Sequence, residues 1–385
     1  MFQRLQAPRP GHSFFLFGPR GTGKSTLLQS LAFLRDAPAI DLLNTEEEDR
    51  FLRRPMELER WTKTLPSSVS WIVIDEVQKA PLLLDVVHRM IETTPLHFAL
   101  TGSSPRKLKR GASNLLAGRA LVHLLHPLTH RELGPQFDLD SCLHWGSLPK
   151  VVQIEENDVK ASFLRSYALT YLKEEIAAEQ AVRRLDPFRN FIEVAAQSNG
   201  QILNFTRVAE DVGVDVKTAQ SYFGVLEDTL LGFFLPAHHR SVRKQQSTHP
   251  KFFFFDTGVK RALDRTLTQA LLPQAYGFGA AFEHFVILEM KRLNDYFSKD
   301  FQFSYLRTKE GVELDLIVDR PGSPPALIEI KSTENVTERD VKALSLFAPD
   351  FPKADLYCFS RDIRPQKIGR VWCFPWDEGI RRMGL

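Results

Sequence analysis

Phe14-Phe15-Leu16-Phe17-Gly18-Pro19-Arg20-Gly21-Thr22-Gly23-Lys24-Ser25-Thr26 decides how this 385-residue chain is read. Four apolar residues predict a buried strand, and Gly18-x-x-x-x-Gly23-Lys24-Ser25 then matches the phosphate-binding loop pattern in full. Glycines let backbone N–H groups turn inward around phosphate oxygens. A helix starting near Lys24 would aim the positive end of its dipole at the same oxygens. Lys24 supplies a point charge for the β- and γ-phosphates, and the Ser25 hydroxyl is placed to coordinate Mg2+. The whole loop, Gly18, Pro19, Arg20, Gly21, Thr22, Gly23, Lys24, Ser25 and Thr26, is the expected cradle for ATP with Mg2+.

Outward from the loop, a helix is expected from Thr26 to about Phe33, then a strand at Ala39–Leu42 and a helix from Thr45 to Arg54. Ser70-Trp71-Ile72-Val73-Ile74-Asp75-Glu76 is a β-branched run ending in two carboxylates. Asp75 at the strand end can hold the metal's water shell, and Glu76 can orient and deprotonate the attacking water. His97 to Ser104 predicts the strand lying between the two motif strands, with Ser103, or second Thr101, as the polar sensor of the γ-phosphate. A basic segment, Arg106 to Arg110, leads to Arg119. Two readings stand for Arg119: a finger reaching a neighbouring subunit's nucleotide, or a partner for a surface carboxylate.

Gly-Pro-Arg-Gly-Thr-Gly-Lys-Ser-Thr, Ile-Asp-Glu-Val-Gln-Lys-Ala-Pro at 74–81, Leu-Thr-Gly-Ser-Ser, Leu-Ala-Gly-Arg and His126-Pro127-Leu128-Thr129 occur in this order. Together they resemble the prokaryotic AAA+-type P-loop ATPases that carry a conserved carboxy-terminal region of unknown function. The resemblance implies nucleotide hydrolysis and leaves the biological substrate open.

The bulk composition is ordinary for a globular chain, at 43% hydrophobic and 25% charged with a net charge of +3. That balance permits a polyanionic partner without demanding one. Three scattered cysteines, Cys142, Cys358 and Cys373, suggest neither a zinc site nor a disulfide framework, which fits a reducing cytoplasm. No apolar run long enough to span a bilayer appears, so no membrane partner is expected.

The middle of the chain predicts an amphipathic helix over 158–185 and a second from Phe188 to Ser198. Asn204 to Tyr222 follows a helix-turn-helix pattern, with Asn204 or Thr206 as cap and Gly213 at the turn. Lys217, Thr218, Gln220 and Ser221 would face outward, Leu226 to Leu235 would form wing strands, and Arg240, Arg243 and Lys244 a basic wing tip. Such cations suit phosphate contact with DNA, although winged helices also serve as protein–protein modules. Pro250 to Gly258 is typical of the resembled family's carboxy-terminal region and is expected to be a structural strand and turn.

The last third sets Glu283 on a helix, Asp315 on an apolar strand, and Glu329-x-Lys331 on another. This resembles the restriction-endonuclease-like PD-(D/E)xK fold. There Glu283, Asp315 and Glu329 would make a hard-oxygen Mg2+ site beside Lys331, or else survive as internal ion pairs. The expected fold class is therefore α/β: an AAA+-type P-loop parallel sheet over 1–145, a helical connector and winged helix over 146–265, and a nuclease-like α/β domain over 266–385. The expected function is a DNA-dependent ATPase acting on duplex or branched DNA, assembled as a homo-oligomer with a hexamer as one candidate. Holliday-junction resolvases share the nuclease-like fold, and that analogy alone suggests branched DNA. Alternatives are an ATP-regulated metal-dependent nuclease and an ATP-dependent assembly switch without DNA.

Overall fold

The computed structural model describes residues 2–105, 116, 118–171, 185–238 and 249–385. The basic segment at 106–110 and the wing-tip residues Arg240, Arg243 and Lys244 lie outside these described residues.

Five strands form the amino-terminal sheet: β1 (Ser13–Phe17), β2 (Ala39–Asp41), β3 (Trp71–Asp75), β4 (His97–Gly102) and β5 (Ala120–Leu124). Their order is β2-β3-β4-β1-β5, and every pairing is parallel. Period-two alternation sends Phe15 and Phe17 to one core and Phe14 and Leu16 to the other. Burial on both faces is why the central strands β1, β3 and β4 read as continuous apolar runs, whereas the edge strands β2 and β5 are partly exposed. β4 lies between the two motif strands, as the sequence reading expects. The helix after the loop begins at Lys24 and ends at Ser30, short of the expected Phe33, and a single 3-10 turn at Ala32–Leu34 follows it.

The middle unit is helical. Asn204, not Thr206, caps the helix Phe205–Val212 by accepting from Arg207 N at 3.1 Å. Gly213 turns the chain at φ 74°, and Asp215 caps the next helix, Val216–Asp228. That helix runs through residues expected to be wing strand. Tyr222, Phe223, Val225 and Leu226 are all buried, and the three- and four-residue steps among them keep the chain helical to Asp228. Only β6 (Gly232–Leu235) is extended, antiparallel to β7 (Lys251–Phe254). Phe252 and Phe254 face the middle core while Phe253 faces the carboxy-terminal core, so β7 is shared between units.

The carboxy-terminal unit is a helix, Tyr276–Tyr296, packed on a six-stranded mixed sheet. Its strands are β8 (Gln302–Arg307), β9 (Glu313–Asp319), β10 (Ala326–Ile330), β11 (Asp355–Ser360), β12 (Gln366–Ile368) and β13 (Val371–Pro375), in the order β12-β13-β11-β10-β9-β8. The edge strand β12 has no forerunner in the sequence reading. β8, β9 and β10 run antiparallel, and β10 then pairs in parallel with β11 after the helix Lys342–Phe347.

Arg292, in the long helix and 2% exposed, joins the units. Its Nη1 donates to Leu128 O at 3.1 Å and Ser147 Oγ at 3.0 Å, and its Nη2 to Phe255 O at 2.9 Å. Glu289 balances the charge at 3.2 Å. The same Glu289 accepts from His130 N at 2.9 Å, while His126 meets Asp295 at 2.9 Å. The His126-Pro127-Leu128-Thr129 string is thus the surface through which the parallel sheet unit docks on the long helix. Asp256 completes the joint by accepting from Ser147 N at 2.8 Å and capping the helix Thr257–Leu263. We expect Arg292→Met to cost about 3–5 kcal/mol, the range for stripping one partner from a buried ion pair. Urea unfolding of the full chain measures it, and a loss under 1 kcal/mol would remove Arg292 from this role.

Candidate functional site

The amino-terminal site is built where β1, β3 and β4 end. Gly18 has no room for a side chain: a Cβ there would stand 2.2 Å from Leu125 O. Gly23 takes φ 94°, a left-handed conformation open to glycine without strain, just before the helix begins at Lys24. Lys24 is 7% exposed, and its Nζ donates to Gly18 O at 2.8 Å. Ser25 Oγ lies 3.2 Å from Asp75 Oδ2, so the hydroxyl and carboxylate expected to share a metal already face each other. Asp75 also accepts from the Thr101 hydroxyl, and Glu76 N donates to Thr101 Oγ1 at 3.2 Å.

Glu76 sits at φ 56°, a left-handed conformation that is costly for a non-glycine residue. Gln78 holds its carboxylate: the Gln78 amide donates to Glu76 Oε2 and, at 3.0 Å, to Ser103 Oγ. Gln78 is 5% exposed and packs so closely that a Cβ on Gly102 would meet its Oε1 at 2.5 Å. The two sensor candidates therefore divide the work. Thr101 touches Asp75, and Ser103 reaches Glu76 through Gln78. Gln78 was missed by the sequence reading, although it stands inside the distinctive Glu-Val-Gln-Lys-Ala-Pro string.

Lys24, Ser25, Asp75 and Glu76 open on a cavity of about 410 Å³, whose lining also includes Phe2, Pro149 and Lys150. The donor set fits a magnesium nucleotide: a lysine, a hydroxyl facing a carboxylate, and glycines at the turn. Two contacts outside the motif brace the loop. Arg4 Nη1 donates to Thr22 O at 2.6 Å and its Nη2 to His126 O at 2.6 Å, and the Tyr167 hydroxyl donates to Arg20 O at 2.9 Å. Nothing in the sequence around Arg4 signalled this.

Arg119 is exposed and its Nε donates to Glu92 at 2.7 Å, which is the surface-carboxylate pairing within one chain. On the helix Val216–Asp228, Lys217, Gln220 and Ser221 are exposed, while the Thr218 hydroxyl donates back to the Asp215 cap at 2.6 Å.

The carboxy-terminal cluster departs from the expected metal site. Asp315 and Glu329 lie on adjacent strands, and Asp315 Oδ2 accepts from Ile330 N at 2.8 Å. Lys331 Nζ pairs with Glu329 Oε1 at 2.5 Å. Glu283, however, is engaged by Lys251 of β7 at 3.1 Å, and the same ammonium reaches Glu313 at 2.6 Å. Among the described residues no set of three acidic, histidine or cysteine side chains is arranged to hold a metal. Glu283 is thus paired with Lys251 and Glu329 with Lys331, while Asp315 holds a backbone N–H, so the three carboxylates are not arranged as a metal site. The Lys251 ammonium enters from β7, in the middle unit. Burial pushes the Glu283 carboxyl up to about 7 against the pull of Lys251, and pushes Glu329 up to about 8 with Asp315 adding to it. The sequence signal for Lys251 was a lone charge opening an all-phenylalanine strand.

Three family models match successive parts of the chain. Residues 11–134 match the family model of the AAA domain, so the amino-terminal unit is a P-loop domain of that class. Residues 136–270 match a domain of unknown function (DUF8612), and residues 278–378 another (DUF4143). An uncharacterized protein of Mycobacterium tuberculosis is 28% identical over 83% of this chain and 70% of its own length. An uncharacterized protein of Haemophilus influenzae is 23% identical over 71% of this chain and 73% of its own. The structure of the Aeropyrum pernix ORC1 protein in complex with DNA overlaps loosely, at a TM-score of 0.27 and 14% identity over 68% of this chain and 89% of that one. Among the described residues no helix is long and apolar enough to cross a membrane.

Proposed function

We propose that the chain is an ATP hydrolase whose nucleotide state governs how its two later units engage DNA. The observation that carries the hydrolase reading is that Lys24, Ser25, Asp75 and Glu76 line one cavity, with Asp75 held from behind by Thr101 and Glu76 by Gln78, which also reaches Ser103. Lys24 would leave its loop carbonyls for the β- and γ-phosphate oxygens. Mg2+, bound with the nucleotide at Ser25 and Asp75, would neutralise phosphate charge. Glu76 would take the proton of the attacking water, with Gln78 aligning its carboxylate and Ser103 facing the γ-phosphate. In this reading Arg119 exchanges Glu92 for the nucleotide of a neighbouring subunit in a homo-oligomer. The work divides over 1–145 for hydrolysis, 146–265 for a winged helix, and 266–385 for a nuclease-like fold that binds without cutting.

DNA would lie along Lys217 and Gln220, joined by Arg240, Arg243 and Lys244. The second reading, an assembly switch without DNA, draws on the single cation of the Val216–Asp228 helix face.

Turnover tests the first part. Glu76→Gln should keep ATP binding within a few-fold while lowering kcat by at least ~10²-fold, as expected on losing a general base. Gln78→Ala should lower kcat by ~10-fold or more with KM nearly unchanged, because it acts through Glu76. An unchanged kcat in Glu76→Gln would remove Glu76 as the general base, and no turnover of ATP with Mg2+ by the unaltered chain would end the hydrolase assignment. DNA is tested separately by fluorescence anisotropy with duplex and forked oligonucleotides. Binding should weaken as salt rises, and Lys217→Ala should flatten the log–log salt slope by about one. An ATPase rate and an anisotropy that ignore all DNA at low salt would leave the assembly switch.

A further inference from the structure

Lys251 begins β7, and its side chain is 3% exposed. On a strand that sends Phe252 and Phe254 into the middle core, Lys251 shares the opposite face with Phe253 and so projects into the carboxy-terminal unit. Its ammonium meets Glu283 at 3.1 Å and Glu313 at 2.6 Å and lies 5.4 Å from the centre of the Tyr305 ring. Burial alone would lower its pKa, but Glu283, Glu313 and Asp315 outweigh this and hold it raised, so the side chain stays charged. On the far side of the cluster Lys331 takes Glu329 Oε1, while Glu329 Oε2, on a residue 4% exposed, has no hydrogen-bond partner.

We propose that Lys251 is the resident cation of this carboxylate cluster, that it excludes divalent metal, and that it thereby locks the middle unit onto the carboxy-terminal sheet. A divalent ion between Glu283 and Asp315 would have to displace an ammonium with no exit to water, leaving a buried charge unpaired. The backbone around Lys251 resists that move. Leu203 N donates to Pro250 O at 2.9 Å, β7 is paired along its length with β6, and Tyr305 N donates to Pro236 O at 3.0 Å while His238 N donates to Tyr305 O at 2.8 Å. These bonds stitch the β6 exit to β8, so withdrawing Lys251 means peeling one unit from the other.

The test titrates Mn2+ into the nucleotide-free full chain carrying Asp75→Asn, which removes the amino-terminal metal position, and follows the free-ion electron paramagnetic resonance signal. No stoichiometric binding is expected in that background. Adding Lys251→Met should create one site per chain, at least tenfold tighter than any residual binding, and adding Glu283→Gln should abolish it. Should Lys251→Met fold poorly, Lys251→Gln keeps most of the side-chain volume and is read the same way. One equivalent of Mn2+ bound with Lys251 in place, and lost in Glu283→Gln, would overturn the proposal. So would folded Lys251→Met and Lys251→Gln proteins that gain no site.

Discussion

A guanidinium taken out of water must find its hydrogen bonds in the protein, and the two terminal nitrogens of Arg292 find theirs on segments far apart in the chain, while its Nε has no hydrogen-bond partner among the described residues. Leu128 follows β5, Ser147 opens the connector, Phe255 follows β7, and Glu289 lies one turn back on the same helix. No single unit could satisfy that side chain. The constraint explains why residues without chemistry form recognisable strings. Gly258 is pressed so tightly that a Cβ would lie 1.9 Å from Trp145 O, and Asp256 spends its oxygens on Ser147 N and the cap of its own helix. A buried charge of this kind adds little net stability but penalises every other arrangement of the three segments.

The phosphate-binding loop is fastened to the same joint. Arg4 spans from Thr22 O to His126 O, to Glu132 at 2.9 Å and to the Tyr296 hydroxyl at 3.0 Å, and Tyr296 is the last residue of the long helix. Tyr167 of the connector holds Arg20 O from the other side. A rearrangement of the loop carbonyls would therefore be felt first by the long helix and the connector. Within the pocket, the left-handed Glu76 is held between its own backbone bond to Thr101 and the Gln78 amide. Strain of that kind persists only where neighbours over-determine it.

The carboxy-terminal cluster shows how one residue changes the meaning of a pattern. Asp315, Glu329 and Lys331 do come together on neighbouring strands, as alternation and spacing imply. Their chemistry depends on what neutralises them. Lys251 arrives from β7, 32 positions before Glu283 in sequence and on a different unit. In a carboxylate cluster whose spacing resembles a metal site, Glu283 and Glu329 are instead each engaged by a lysine.

Local information was enough wherever a property repeats along the chain. The apolar runs announced β1, β3, β4, β9 and β10, the glycines and Lys24 announced the loop, and the paired carboxylates marked Asp75 and Glu76. Each follows from hydrophobic periodicity or from a motif contiguous in sequence. The extent of the Val216–Asp228 helix was misjudged because an apolar stretch reads alike as buried helix or strand until its packing partners are known. Gln78 and Arg4 escaped because part of each role is a contact with a residue far along the chain, Ser103 at 25 positions from Gln78 and Glu132 at 128 from Arg4. Lys251 escaped for the same reason. A charge in a strand is legible in sequence, but the identity of its counter-ion is set by which strands and helices the fold brings within about 3 Å of it, the reach of a charge-assisted hydrogen bond.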